Sequence, residues 1–258
     1  MSLRPLPAFS DNYIWLLADE TVGCALVVDP GEAQPVLDAL AAEGLALTAI
    51  LLTHHHADHI GGVPELLARF PDVEIFAPHD DRIPHATRRV GDGDTLEIAS
   101  PAARFSVLEV HGHTRSHIAY HGEDLLFCGD TLFSLGCGRL FEGTPAEMLA
   151  SLDKVSSLPG ATRVCCGHEY TLANAAFALS VEPHNRALQT RTESARSLRA
   201  RQQPTLPAVL DEERAANPFL RVDVLADASI PWPRHATPSP DRVQRFAALR
   251  LAKDHFPT

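Results

Sequence analysis

Short apolar runs alternate with turn residues along the first two-thirds of the chain. Segments 13–17, 24–28, 50–53, 73–76, 105–110, 117–120, 125–128 and 164–166 are dense in aliphatic, β-branched and aromatic residues and read as strands. Turn chemistry separates them, as in Asp29-Pro30-Gly31, Gly91-Asp92-Gly93-Asp94 and Gly122-Glu123-Asp124. Helical spacing of apolar positions covers 35–43, 63–70 and 145–158. Strands in this number, with helices inserted between them, predict sheets packed together with helices outside.

Near residue 170 the strand pattern gives way. Segments 171–179 and 186–201 read as helices rich in Ala, Leu and Arg, and the prolines of Pro204-Thr205-Leu206-Pro207 end that helical run. A last helix is expected to begin near Ser239-Pro240-Asp241, with a capping serine and a proline in the first turn. Its apolar stripe is read as Val243, Phe246, Ala247 and Leu251. The pattern divides the chain into 1–170 and a helical 171–258, with no internal repeat.

Composition narrows the function classes. The chain has 258 residues, 45% of them hydrophobic, enough for a sizeable core. Its formal net charge is −11, from 22 basic and 33 acidic residues, which argues against nucleic acid or an anionic membrane as a general partner. No apolar run approaches the ~18 residues of a membrane span, and the first residues lack a signal-peptide pattern. Five cysteines, at 24, 128, 137, 165 and 166, suggest reduced thiols in a cytoplasmic protein. Cys165 and Cys166 read as small buried residues of a strand rather than metal ligands.

The densest chemistry is Thr53-His54-His55-His56-Ala57-Asp58-His59, directly after an apolar strand and before Gly61-Gly62. Imidazole and carboxylate together suit zinc and its first-row neighbours. A histidine-rich tag would lie at a terminus, without that ordered context. Alternate residues of an extended segment point the same way, so His54 and His56 can grip one ion, while Asp58 and His59 can face a second. Each ion needs ligands from elsewhere. His113, Asp130 and His168 each come after a strand-like segment, and each is preceded by a glycine, Gly112, Gly129 or Gly167. Near the C-terminus, Arg250 falls where a structural helix would favour an apolar residue, with Lys253 three further on. Two cations on one face suggest an anion site.

The run from Thr53 to His59 resembles the T-H-x-H-x-D-H signature of the metallo-β-lactamase superfamily, and Gly112-His113-Thr114, Gly129-Asp130-Thr131 and Gly167-His168-Glu169-Tyr170 come in that family's order. The resemblance implies an α+β fold, a four-layer αβ/βα sandwich with a dinuclear site at one sheet edge. It would place His54, His56 and His113 on one metal and Asp58, His59 and His168 on the other, with Asp130 bridging. Gly136-Cys137-Gly138-Arg139-Leu140-Phe141-Glu142-Gly143-Thr144, Val181-Glu182-Pro183-His184-Asn185, Asn217-Pro218-Phe219-Leu220-Arg221 and Arg250-Leu251-Ala252-Lys253-Asp254 are similar to segments of the glyoxalase II branch. That resemblance covers essentially the whole chain. It implies a C-terminal helical substrate domain and hydrolysis of S-(2-hydroxyacyl)glutathione thioesters, such as S-D-lactoylglutathione in methylglyoxal detoxification.

On this resemblance Asp58 and Asp130 are the catalytic carboxylates. Arg139, Phe141, Tyr170, Arg250 and Lys253 contact the substrate. The cofactor is two divalent metal ions, zinc first and iron or manganese as alternatives, and the protein is expected to be a monomer. Three positions depart from the family pattern: Phe141 where Tyr is common, Arg139 where Lys is common, and Ser116 for a Gly. His55, His111 and His117 are left without an assigned role, a place behind the ligands being open to any of them. The rival readings are a β-lactamase, a phosphodiesterase or nuclease, a persulfide dioxygenase, or a non-catalytic metal-binding protein. A nuclease would be more basic, and a secreted lactamase would carry a signal peptide.

Overall fold

The structure, a computed structural model, describes residues 1–233 and 238–257. Two compact units interleave along the chain. The first comprises Met1–Glu109, Ser116–Gly129 and Cys165–His168; the second comprises Val110–Arg115, Asp130–Val164 and the chain from Glu169 onward. The compact units therefore do not divide at residue 170, where the composition changes. Val110–Arg115 and Asp130–Val164, both within the first 170 residues, group with the helical region.

The first unit holds one sheet in the order β1 (Ser2–Ala8), β2 (Asn12–Asp19), β3 (Cys24–Val28), β4 (Ala46–Leu51), β5 (Glu74–Ala77), β6 (Arg88–Arg89). β1, β2 and β3 pair antiparallel; β3 to β6 pair in parallel. Parallel neighbours need crossovers. α1 (Gln34–Glu43) supplies the one between β3 and β4, and α2 (Ala57–Ile60) with α3 (Val63–Arg69) the one between β4 and β5. β2 and β3 are almost wholly buried, which explains why they read as unbroken apolar runs. β1 was not legible because it carries Pro5 and Pro7; at the sheet edge these need no ladder donor on the open side. Ile14, Leu16, Val27, Ile50 and Ile75 pack with Val36 and Leu40 of α1 and Val63 and Leu66 of α3.

A second sheet in this unit runs through β7 (Thr95–Ala99), β8 (Ala102–Glu109), β9 (Ile118–Gly122), β10 (Leu125–Gly129) and the Cys165-Cys166 end of β13 (Arg163–Cys166). β7 and β8 alternate buried and exposed residues, as strands with one wet face should. The two sheets face each other. The Tyr120 hydroxyl donates to Leu52 O at 2.9 Å and Phe76 O at 3.2 Å, and the Trp15 indole donates to Cys166 O at 3.0 Å. All five cysteines are free and buried, as read for Cys165 and Cys166.

The second unit carries the hairpin of β11 (Leu132–Phe133) and β12 (Gly136–Cys137), then α4 (Pro145–Ser156) and the start of β13. After these come α5 (Thr171–Val181), α6 (Arg186–Ala200), β14 (Ala208–Val209), α7 (Leu210–Ala216) and α8 (Arg242–Asp254). Strand pairing persists past residue 171, since Arg163 and Val164 pair with Val209 and Ala208. Thr144 and Glu147 form a capping box that starts α4. Two details of α8 differ from expectation. Its cap is the Asp241 side chain, accepting from Gln244 N, while Ser239 Oγ accepts from Asp241 N. Its buried face is Arg245, Phe246, Ala248, Leu249 and Arg250; Leu251 is 46% exposed. Phe246 meets Phe219 edge-on with centroids 5.9 Å apart, and Phe219 in turn stacks on Phe177 at 6.0 Å; Leu249 and Arg250 turn inward beside it, where Leu251 was expected.

Candidate metal centre

β4 ends at Leu51, and the chain leaves it through Thr53 to His56 into the single-turn helix α2. Within this unit His54 Nε2 and His56 Nδ1 lie 3.1 Å apart. Asp58, His59 and His168 bring one ligand atom each to within 4.8 Å of one another. His168 comes just after β13 and is tied to β2 by a bridge to Asn12. Five of the expected metal residues thus belong to the first unit, and two, His113 and Asp130, to the second. There His113 Nε2 stands 3.4 Å from Asp130 Oδ2.

Three of the rings, those of His59, His168 and His113, are fixed through the other nitrogen. His59 Nδ1 donates to Asp29 Oδ2 at 3.1 Å, His168 Nδ1 to Asp11 Oδ1 at 2.8 Å, and His113 Nδ1 to Arg139 O at 2.9 Å. A proton on Nδ1 leaves the Nε2 lone pair as the ligand face of a neutral imidazole. That face meets a carboxylate in every case: His59 Nε2 and His168 Nε2 lie 3.5 and 3.4 Å from Asp58 Oδ2. Two acceptors facing each other call for a cation between them. Two ligand atoms held ~2.1 Å from one tetrahedral ion lie ~3.4 Å apart, so the observed separations fit a shared metal.

Three residues behind the ligands carry no metal-site signal in the sequence. Asp29 reads there only as turn chemistry. Buried at φ +52°, it accepts from Thr53 N at 2.8 Å, from Thr53 Oγ1 at 2.7 Å and from His59. Asp11 holds His168, and Asn12 Nδ2 donates to Asp58 Oδ2 at 3.0 Å. Their only sequence signal is a polar loop after β1. His117 stacks on His54 with centroids 4.5 Å apart and planes at 17°. His55 Nδ1 lies 3.5 Å from Asp80. Burial opposes ionisation of Asp80, but hydrogen bonds from Arg82 and Ser116 hold its carboxyl well below the usual range. Ser116 therefore has a partner that a glycine would lack.

Glycine is required before two of the ligands. A Cβ on Gly129, at φ +46°, would stand 2.3 Å from Thr53 Oγ1 and 2.9 Å from the His117 ring. One on Gly112, at φ +140°, would stand 2.7 Å from Met148 Cβ.

Within the second unit, His113 and Asp130 open onto a cavity of about 380 Å³. All five expected substrate residues line it: Arg139, Phe141, Tyr170, Arg250 and Lys253. Phe133, Cys137 and Asn174 line it too, beyond the expected five. Phe141 is 63% exposed and turns edge-on to His113, with centroids 5.2 Å apart. Tyr170 meets Phe133 at 5.2 Å. The cations differ from one another. Arg139 is exposed and lies 3.6 Å from Asp254. Arg250 is only 4% exposed; it donates to Cys137 O at 2.7 Å and to Asp254 Oδ1 at 3.0 Å and lies over the Phe219 ring. It thus braces the wall as well as charging it. Lys253 Nζ donates to Ala173 O at 3.2 Å. Burial, then the neighbouring guanidiniums of Arg250 and Arg139, lower its pKa.

Residues 9–168 match the family model of the metallo-beta-lactamase superfamily, and residues 169–256 match the hydroxyacylglutathione hydrolase C-terminus. A hydroxyacylglutathione hydrolase of Xylella fastidiosa strain 9a5c is 56% identical over 258 residues, covering 100% of this chain and 98% of that protein. The chain belongs to the hydroxyacylglutathione hydrolase family. A further member from Xanthomonas campestris pv. campestris strain B100 is 55% identical over 260 residues, covering 99% of each. As a member of this family it is a metallohydrolase with the metallo-β-lactamase fold and a C-terminal helical region. The crystal structure of TTHA1623 in a di-iron-bound form is similar as well, at 29% identity and a TM-score of 0.55. It covers 64% of this chain and 91% of that one.

Proposed function

We propose that the protein hydrolyses the thioester of S-(2-hydroxyacyl)glutathione, releasing glutathione and a 2-hydroxy acid, with S-D-lactoylglutathione as the substrate and methylglyoxal detoxification as its setting. One observation carries the reading: the cavity that His113 and Asp130 open onto is also walled by Arg139, Lys253 and Arg250. Glutathione brings two carboxylates to such a wall. The names of the relatives agree.

In this proposal His54, His56 and His113 would hold one divalent ion and Asp58, His59 and His168 the other, with Asp130 a ligand available to both. The imidazole and carboxylate donors suit zinc, and iron or manganese accept the same set. Two such ions supply Lewis acidity and water of lowered pKa. The chain's residues do the rest. Asp58, held by Asn12, accepts a hydrogen bond from the attacking water and orients it toward the acyl carbon. Water oxygen bonds to that carbon, the C–S bond breaks, and the sulfur leaves with the electron pair and takes up a proton as glutathione. A thiolate leaves readily, so no strong general acid is required. Arg139 and Lys253 pair with the peptide's carboxylates, Tyr170 donates to its backbone, and Phe141 shields the His113 side from solvent.

The protein acts as a cytoplasmic monomer in this reading, without nucleic acid or membrane. Metal analysis of the purified protein, paired with hydrolysis of S-D-lactoylglutathione, is the test. Two bound ions with thioester cleavage support the proposal; two bound ions without it refute it, and cleavage of a phosphodiester, a β-lactam or a persulfide instead would name the rival.

A further inference from the structure

Two strips of the cavity wall come from separate stretches of the second unit. One is the β11–β12 hairpin, which contributes Phe133 and Cys137; the other is the segment ending in Tyr170, whose ring meets Phe133. Neither strip is packed only by apolar contacts. The hairpin turn, Ser134-Leu135, puts Leu135 at φ +59°, an unfavourable value for a branched residue. It is held there by Glu213, which is fully buried. Glu213 accepts from Ser134 Oγ and from Leu135 N, both at 2.7 Å, and from Asn217 Nδ2 at 3.1 Å. The second strip is held by Glu169, which accepts from Thr205 N at 2.8 Å and from Thr205 Oγ1 at 2.6 Å.

One nitrogen joins the two networks. Arg191 Nη2, reaching in from α6, donates to Ser134 Oγ at 3.1 Å and to Thr205 O at 2.8 Å. Ser134 passes its own proton to Glu213, so the chain Arg191 to Ser134 to Glu213 has every donor and acceptor in the right sense. Burial raises the Glu213 pKa, and the charge of Arg191 with these hydrogen bonds opposes that. Such a network is rigid when complete and costly when one member is lost.

We infer that Arg191, which does not line the cavity, is a positioning residue for glutathione: through Ser134 and Thr205 it sets the spacing of the Phe133 and Tyr170 strips against which the peptide lies. The inference rests on the proposed thioesterase activity for its substrate. Because both contacts leave from a single nitrogen, a lysine ammonium can replace them, whereas a methionine of similar length cannot.

The test compares Arg191→Met, Arg191→Lys and, as a control on the same helix, Arg196→Ala. Each is assayed on S-D-lactoylglutathione and on the lactoyl thioester of N-acetylcysteamine, which lacks the peptide. Arg191→Met is expected to raise KM for the glutathione thioester about tenfold, equivalent to about 1.4 kcal/mol, with kcat, metal content and cleavage of the small thioester unchanged. Arg191→Lys is expected to recover most of that loss, and Arg196→Ala to resemble the wild type. An unchanged KM, equal losses on both thioesters, or a lysine variant as impaired as the methionine one would overturn the inference. If Arg191→Met fails to fold, Ser134→Ala, which removes only the relay hydroxyl, must raise the same KM selectively, and a normal KM there overturns it.

If the wild type cleaves no glutathione thioester, the proposed function falls, and the inference is read from calorimetric binding of S-methylglutathione. Arg191→Met must then weaken binding about tenfold, and equal affinity overturns the inference. A wild type that binds no S-methylglutathione overturns both.

Discussion

Asp29→Asn is the sharpest test of how the histidines are aimed. Asp29 Oδ1 accepts from Thr53 N, and Oδ2 accepts from Thr53 Oγ1 and His59 Nδ1. An asparagine has nearly the same shape but one oxygen and one NH2. If the NH2 replaces Oδ1 it faces the Thr53 amide donor. If it replaces Oδ2 it faces the His59 Nδ1 proton, and the ring escapes by moving that proton to Nε2, the atom turned toward Asp58. The second outcome removes the lone pair that a metal needs. Loss of such an outer partner costs about 10–100-fold in metal affinity, or about 1.4–2.7 kcal/mol. The assay is competition for zinc against a chromophoric chelator, with urea unfolding of the metal-free protein alongside. Affinity should fall by that factor while the metal-free protein loses no more than about 1–3 kcal/mol, the cost of one unmade buried hydrogen bond. A zinc affinity within about twofold of the wild type would refute the argument that Asp29 sets the His59 tautomer.

Four further outcomes are expected. Asp130→Ala should lose one metal equivalent and thioesterase activity together, and mass spectrometry showing two ions in a fully active variant would remove its bridging role. Because the Lys253 pKa is lowered, the ammonium proposed to pair with substrate disappears as pH rises through a value below the ordinary 10.5; KM should climb with pH there, and Lys253→Arg should flatten the climb. By the same shift the folded state binds fewer protons than the unfolded one between that lowered value and 10.5, so the Lys253 contribution makes stability rise with pH across the window; urea titrations of wild type and Lys253→Met check the sign. Arg250→Ala should both raise KM and destabilise the fold by about 2 kcal/mol, since Cys137 O loses its buried donor; a variant with normal urea stability would count against the bracing role.

Much of the first unit was legible because its strands are short, apolar and bounded by turn residues. The 24–28 run became β3 without change, and the other runs moved by only a few residues. What escaped was governed by pairing and packing that the apolar pattern does not record. β1 carries two prolines and is a strand only because β2 pairs with it. β14 and α7 follow Pro207 in a stretch where no strand or helix pattern was read. On α8, periodicity placed Phe246 and Arg250 on the buried side as observed but missed Ala248 and Leu249 and put Leu251 there instead, because the aromatic cluster around Phe219 decides which residues turn inward.

By itself the sequence determined the family and supplied the histidine and aspartate donors suited to metal. The run from His54 to His59 is local, so its donors are set by spacing alone, and glycines before His113 and Asp130 mark sharp exits that no other residue can make. Only the tertiary structure decided which nitrogen of His59, His168 and His113 faces the metal side. That choice belongs to Asp29, Asp11 and the Arg139 carbonyl, each 26 or more residues from the ring it holds. It also decided that Arg250 is buried and paired while Arg139 stays open, and that Arg191, with no motif of its own, ties two strips of the cavity together. A pattern read along the chain records what a residue can do. Which hydrogen bond it makes depends on groups brought near by folding, and that is where the orientation of this site is set.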